Sequence, residues 1–335
     1  MTELLRELCC LHGASGNEDA VREFIIKKIK DHCEYRVDKM GNIIAYKKGK
    51  KTSANKIMVD AHMDEVGLII TNIDDNGFLR FECVGGIDTA VILARRVWIN
   101  GTIPGVIGLK PVHLTDKEDA KKYPDKDNLY IDIGAADKAQ ALKKVSLGDF
   151  AVFDSEFVLS GDIIKVKAID DRAGCAVLIK LLREDADYDF TATFTVQEEI
   201  GCRGAKVAAF AVDPDFAIIL EATTAADIAD VAQDKRVCAL GDGPAVSFMD
   251  KSTLYDRALY NYALNCQKKC QPKAMVSGGN NSGAVHLSRE GVRTMAISLP
   301  CRYIHSPSCV ANINDINGMY DLVRRMITAV GNGEV

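Results

Sequence analysis

Apolar positions recur along this chain in two rhythms, and the change between them marks its organisation. Residues 2 to 11 and 17 to 31 carry a helical rhythm, and in the second Val21, Phe24, Ile25 and Ile29 fall on one face. Asn17, followed by Glu18 and Asp19, predicts the start of that helix. Lys56-Ile-Met-Val-Asp-Ala-His62 is a short apolar run of the kind that forms a buried strand, and another follows at Val66 to Ile70. From there to about residue 155, β-branched pieces such as RRVWINGTIPGVIG and DNLYIDIG alternate with Gly, Asp-Asn-Gly and Pro. That texture predicts a small β-rich unit with one helix near Asp137 to Lys144.

After residue 160 strands and helices alternate. DIIKVKAI leads into AGCAVLIKLLRE, DFTATFTV precedes RGAKVAAFAV, DFAIIL follows, and VRTMAISL comes before INDINGMYDLVRRMITAV. The alternation predicts an α/β layer with a largely parallel sheet. In the last helix Ile313, Ile316, Tyr320, Val323, Ile327 and Val330 recur every three or four residues. The simplest organisation is an α/β domain made of residues 1–66 and 156–335, with a β-rich unit of residues 67–155 inserted.

Charge and composition narrow the class. In 335 residues, 42 Lys and Arg stand against 47 Asp and Glu, so the basic excess that a nucleic-acid partner needs is missing. No export signal precedes the first helix, and no apolar run approaches the ~20 residues of a membrane span. A soluble cytoplasmic protein is expected. The eleven cysteines are odd in number and include no C-x-x-C pair, so they read as reduced core thiols.

The chemistry lies where apolar strands end. The run at 57 to 61 ends in His62-Met63-Asp64, that at 163 to 169 in Asp170-Asp171, that at 190 to 196 in Glu198-Glu199 and that at 215 to 220 in Glu221; His305 follows VRTMAISLP. Ligands of α/β sheets bind outside the carboxyl ends of the strands. Singly these residues have bland readings: a core histidine, a helix cap, a solvated glutamate. Gathered together, the carboxylates repel one another unless a cation neutralises them. Two divalent ions bring four positive charges, which Asp170, Glu199, Glu221 and one bridging hydroxide cancel. Imidazoles and carboxylates without thiolates suit zinc, cobalt or manganese.

Seven segments in order carry a family resemblance: LHGASGNEDAVREF, AHMDEVG at 61–67, GVIGLKPVH at 105–113, AIDDRAGC at 168–175, VQEEIGCRGA at 196–205, LEATTAAD at 220–227, and SGGNNSGAVHLSREGV through PCRYIHSP at 277–307. The chain resembles metallopeptidase family forty-two, the glutamyl and tetrahedral aminopeptidases, some of which carry an endoglucanase label. The resemblance implies a fold of the dinuclear zinc exopeptidase type, a mixed, largely parallel sheet sandwiched by helices, with an inserted barrel-like domain. It implies His62 and Glu221 on one metal, Glu199 and His305 on the other, and Asp170 bridging both. Asp64 would orient the His62 imidazole, and Glu198 would be the general base for a metal-bridging water. It further implies short peptide substrates and assembly through the insert into dimers or hollow twelve-subunit tetrahedra. His113 matches a recurring histidine of the insert with no chemical duty.

Adjacent residues of extended chain point to opposite sides. Applied to VQEEIGCRG, this predicts Glu199 facing a metal and Glu198 facing the water. Three positions depart from the family pattern: Glu221 stands where Asp is common, Ile228-Ala-Asp replaces a usual Pro-Gly loop, and Asn280-Asn281 replaces Thr-Asp, removing a negative charge near the expected groove. A deacylase on the same scaffold is the alternative, and a silent assembly protein is disfavoured because Glu198 is present. Glycosidase chemistry needs two carboxylates across a sugar bond, whereas these fit around metals.

Overall fold

The two rhythms become two separate sheets in a computed structural model, which describes residues 1–114 and 123–335. The first is built from β1 (Glu34–Val37), β2 (Ile43–Lys47) and β3 (Ile57–His62). The chain then leaves it for a closed antiparallel barrel made of β4 (Gly67–Ile73), β5 (Leu79–Val84), β6 (Arg96–Ile99), β7 (Ile103–Gly108), β8 (Tyr130–Asp132) and β9 (Phe150–Phe153). It returns through β10 (Val158–Ser160), β11 (Ile163–Val166), β12 (Phe190–Thr195) and β13 (Phe216–Thr224). Two short strands, β14 (Ala245–Val246) and β15 (Gln271–Pro272), precede β16 (Arg293–Arg302) and β17 (Cys309–Asn312).

In the large sheet the order is β1-β2-β12-β3-β13-β16-β17-β11-β10, with β14 and β15 attached beside β16. β12, β3, β13 and β16 run parallel, and β11 points the same way because β17 is antiparallel to both β16 and β11. The carboxyl ends of five strands therefore meet at one edge.

Period-two alternation explains both what holds this sheet and where its polar residues go. Ile57, Val59 and Ala61 of β3, Ala192 and Phe194 of β12, and Ile218, Leu220 and Ala222 of β13 join one large apolar core with the helices Thr2–Cys9, Asp19–Ile29, Ile169–Arg183 and Ile313–Asn332. Each of the larger apolar side chains contributes ~1.5–3 kcal/mol when fully buried. The alternate residues Met58, Ala217 and Ile219 pack on the other face against Ala205, Ala208 and Ala209 of the helix Arg203–Val212 and Val285 of a short helix. Asp60, His62, Thr193, Thr195 and Glu221 share that second parity and are all buried. One face is thus apolar throughout, and the other turns polar toward the carboxyl edge.

Two local expectations shift. The second helix begins at Asp19, with Glu18 rather than Asn17 at its cap position and no side-chain cap bond. β13 runs past Glu221 to Thr224, since β16 continues to offer backbone partners beside it as far as Cys301. As expected, none of the eleven cysteines forms a disulfide. Among the described residues, no helix is long and apolar enough to cross a membrane.

Candidate metal centre and substrate groove

Asp170 lies between two imidazoles. Its Oδ1 is 3.3 Å from His62 Nε2, which is also 3.3 Å from Glu221 Oε1; its Oδ2 is 3.4 Å from His305 Nε2, which is 3.3 Å from Glu199 Oε2. One carboxylate therefore offers an oxygen to each of two imidazole–glutamate pairs. His62, Asp170 and Glu199 bring donor atoms within 4.8 Å of one another. Asp170 reaches this position because residues 170 and 171 depart from helical geometry at the start of Ile169–Arg183. Asp171 caps the regular helix beyond it, its Oδ1 accepting from Gly174 N–H at 2.9 Å.

The outer ring nitrogens are fixed by carbonyls, which can only accept. His62 Nδ1 lies 3.1 Å from the Asp64 carbonyl, and His305 Nδ1 lies 2.8 Å from the Gly86 carbonyl in the barrel unit. A proton on each Nδ1 leaves the Nε2 lone pairs of the neutral rings aimed at carboxylate oxygens. Acceptor facing acceptor is stable only with a positive charge between them. Glu199 Oε1 and Glu221 Oε2 are buried with no hydrogen-bond partner among the described residues. Both observations fit a cation at each pair, where ligating histidines customarily donate their other N–H to a carbonyl.

The electrostatics of the protein alone agree. Burial, then the charge of Asp170, drives the Glu199 and Glu221 carboxyls well above the usual range. Burial also raises Asp170, but the His305 and His62 imidazoles outweigh it and hold that carboxyl well below its ordinary value. Burial opposes charge on both imidazoles, yet Glu221 and Asp170 raise His62, and Asp170 and Glu199 raise His305 to about 10. A cation at each pair would relieve both the burial of these charges and the repulsion between the carboxylates.

Glu198 and Glu199 do not alternate along a strand. β12 ends at Thr195, and the backbone turns at Gln197, whose φ is +57°, so the pair sits in a tight loop. Gly201, at φ +113°, suits this loop, and Gly204 lets the next helix pack close: a Cβ there would lie 2.4 Å from the Val196 carbonyl. Asp64 anchors the backbone of both glutamates instead. Its Oδ1 accepts the Glu198 N–H at 3.0 Å and its Oδ2 the Glu199 N–H at 3.1 Å, while Ser15 Oγ donates to Oδ2 at 2.6 Å. Asp64 Oδ1 is also 3.4 Å from His62 Nδ1. Asp64 thus sets the glutamate loop at least as firmly as it sets the imidazole. Glu18 adds a second brace, its Oε1 accepting from Gln197 N–H at 3.1 Å. Ser15 and Glu18 belong to the segment LHGASGNEDAVREF, whose pattern marked it without revealing a duty.

Glu198, Glu199, Asp170, Glu221 and His305 line a groove of about 780 Å³. Asn280 lines it as well, but Asn281 does not. Asn281 Nδ2 donates to Asp60 Oδ2 at 2.7 Å and to Thr195 Oγ1 at 2.9 Å, within the buried polar face. Asp60 is pushed up to about 6 by burial, and an aspartate at 281 would set a second carboxylate against it. The expectation that both asparagines change the charge of the groove is corrected for Asn281. His113 is exposed in the short helical turn Val112–Leu114 and does not line the groove.

Known proteins share this sequence and this fold. Residues 41–322 match the family model described as M42 glutamyl aminopeptidase. A protein of Acetivibrio thermocellus, provisionally named an aminopeptidase, is 40% identical over 96% of this chain and 97% of its own. The lysyl aminopeptidase of Pyrococcus furiosus is 32% identical over 97% of this chain and 96% of its own. A solved structure of the Pyrococcus horikoshii TET1 peptidase, which can assemble into a tetrahedron or a large octahedral shell, superposes with a TM-score of 0.85 at 34% identity, covering 97% of this chain and 98% of that one.

Proposed function

The chain belongs to the M42 glutamyl aminopeptidase family, and from that premise we propose that it is a metal-dependent aminopeptidase that removes N-terminal residues from short peptides at a dinuclear centre. The observation that carries this reading is the arrangement about Asp170, one carboxylate shared between His62 with Glu221 and His305 with Glu199. These five residues would hold two divalent ions, zinc foremost, with cobalt or manganese suited to the same donors. Bound there, the ions would supply Lewis acidity to the scissile carbonyl and make the attacking water more acidic.

The chain's own residues do the rest. Glu198, held by Asp64 through its N–H and lining the groove, accepts a proton from the attacking water on its carboxylate and returns it to the leaving amine. Burial raises the Glu198 carboxyl, which suits a group that must both take and give a proton. Asp64 and Glu18 keep the loop in place, and the Gly86 carbonyl orients His305. A groove of about 780 Å³ accommodates a few residues of peptide. We assign residues 67–155 to a barrel unit inserted in the catalytic domain and used for assembly between copies, by likeness to the assembling peptidase of Pyrococcus horikoshii.

Metal analysis and a panel of aminoacyl anilides test the reading. The expected result is amine release that disappears on chelation and returns with zinc, cobalt or manganese. Release of acyl groups with free amino termini untouched would point to a deacylase, and inactivity after metal addition would refute the proposal.

A further inference from the structure

Asp170 keeps its place between two imidazoles although the backbone around it is irregular. Ala168 is left-handed at φ +55°, and residues 170 and 171 leave helical geometry, so the helix that begins at Ile169 does not by itself fix the carboxylate. Side chains grip the stretch at both ends instead. Lys167 stands three residues before Asp170 and Arg172 two after it, and both close on one carboxylate. Glu65 receives Lys167 Nζ at 2.6 Å on Oε1 and 2.7 Å on Oε2, and Arg172 Nη2 lies 3.4 Å from the same Oε1.

The clamp is itself held from outside. Gly13 N–H donates to Glu65 Oε1 at 3.2 Å, while Lys167 Nζ donates to the Leu11 carbonyl and Arg172 Nη1 to the Leu8 carbonyl, each at 2.7 Å. Ser155 adds the loop that carries His305: its Oγ accepts from Lys167 N–H at 3.0 Å and donates to the Pro307 carbonyl at 2.7 Å. Glu65 and Lys167 line a small cavity with Asp170, Glu199 and His305, so the clamp stands directly beside the centre.

Stability does not require such a cluster. Glu65, Lys167 and Arg172 are 3% exposed or less, and exchanging buried ion pairs whole for apolar side chains of similar size is often neutral or stabilising. Charge-assisted hydrogen bonds supply direction, which apolar contacts do not. We propose that Glu65, Lys167 and Arg172 are positioning residues that set Asp170 between the two imidazoles, and so fix the spacing of the two ions it would share. This rests on the dinuclear reading and names what holds its shared ligand in place.

The test compares the parent protein with Glu65→Gln/Lys167→Met, which removes one ion pair whole and leaves Gly13 its acceptor. Zinc affinity of the metal-free proteins is measured by calorimetry at a temperature where both are folded, and crystal structures locate Asp170. The expected result is zinc binding ~10–100-fold weaker in the folded variant, with the Asp170 carboxylate displaced by ~1 Å from the 3.3 and 3.4 Å it keeps to His62 and His305. An unmoved Asp170 would overturn the proposal, and so would zinc affinity within about two-fold of the parent, whatever happens to the thermal midpoint. Should the double variant not fold, Glu65→Gln is read by the same criteria. A parent that binds no zinc would sink the dinuclear reading by itself, and the position of Asp170 in parent and variant then decides the role of the clamp.

Discussion

The large sheet and the barrel bury strands in opposite ways. Along β3, β12 and β13 the second face is interrupted by Asp60, His62, Thr193, Thr195 and Glu221, every one of them buried. The barrel turns Leu68, Ile70, Phe81, Val97, Ile99, Ile107 and Ile131 inward and, among the described residues, carries no comparable buried polar set. A closed antiparallel barrel has no open strand end in its interior, so side chains fill it. A parallel sheet sandwiched by helices ends in an edge where neither helix nor strand covers the last residues. Polar groups collect at that edge because hydrogen bonds and ions can satisfy them there. The barrel unit nevertheless reaches the site by backbone, through the Gly86 carbonyl on His305.

Four substitutions probe that division, in order of expected effect. Glu198→Gln should retain both metals and lose ~10²–10⁴-fold in kcat, whereas Glu199→Ala should lose affinity for one metal first. Metal stoichiometry with steady-state kinetics separates them, and equal metal content in the two variants would dissolve the division of labour. Ile131→Ala, in the middle of the barrel core, should cost ~2–5 kcal/mol in unfolding free energy while metal content per folded chain stays constant. Loss of metal at temperatures where the variant remains folded would show the barrel to be more than a scaffold. Asp64→Asn presents an N–H where the glutamate loop needs an acceptor, and should lower metal affinity or turnover ~10–100-fold. Unchanged kinetics would mean that Glu18 and Ser15 suffice to hold the loop.

Much of this was legible along the chain. The apolar rhythm located the strand Ile57–His62 and the helix Ile313–Asn332, and the motif segments located the residues around Asp170. Less legible was how neighbours in sequence are separated in space. Alternation predicts opposite directions for Glu198 and Glu199, but the turn at Gln197 ends the strand first, and Asp64, 134 residues from Glu198, sets their geometry. Asn281 likewise looked like a groove residue from its neighbours. Its partner, Asp60, lies 221 residues away on β3.

The sequence by itself determined the local periods and the chemical inventory, because side-chain alternation and residue type are properties of short segments. It therefore specified a parallel sheet, a β-rich insert and an acidic, histidine-bearing strand edge. Only the tertiary structure decided which acceptor faces which imidazole and which glutamate oxygens have no hydrogen-bond partner among the described residues. Those facts depend on contacts between segments far apart in the chain, and hydrogen-bond geometry at the ångström scale has no counterpart in spacing along it.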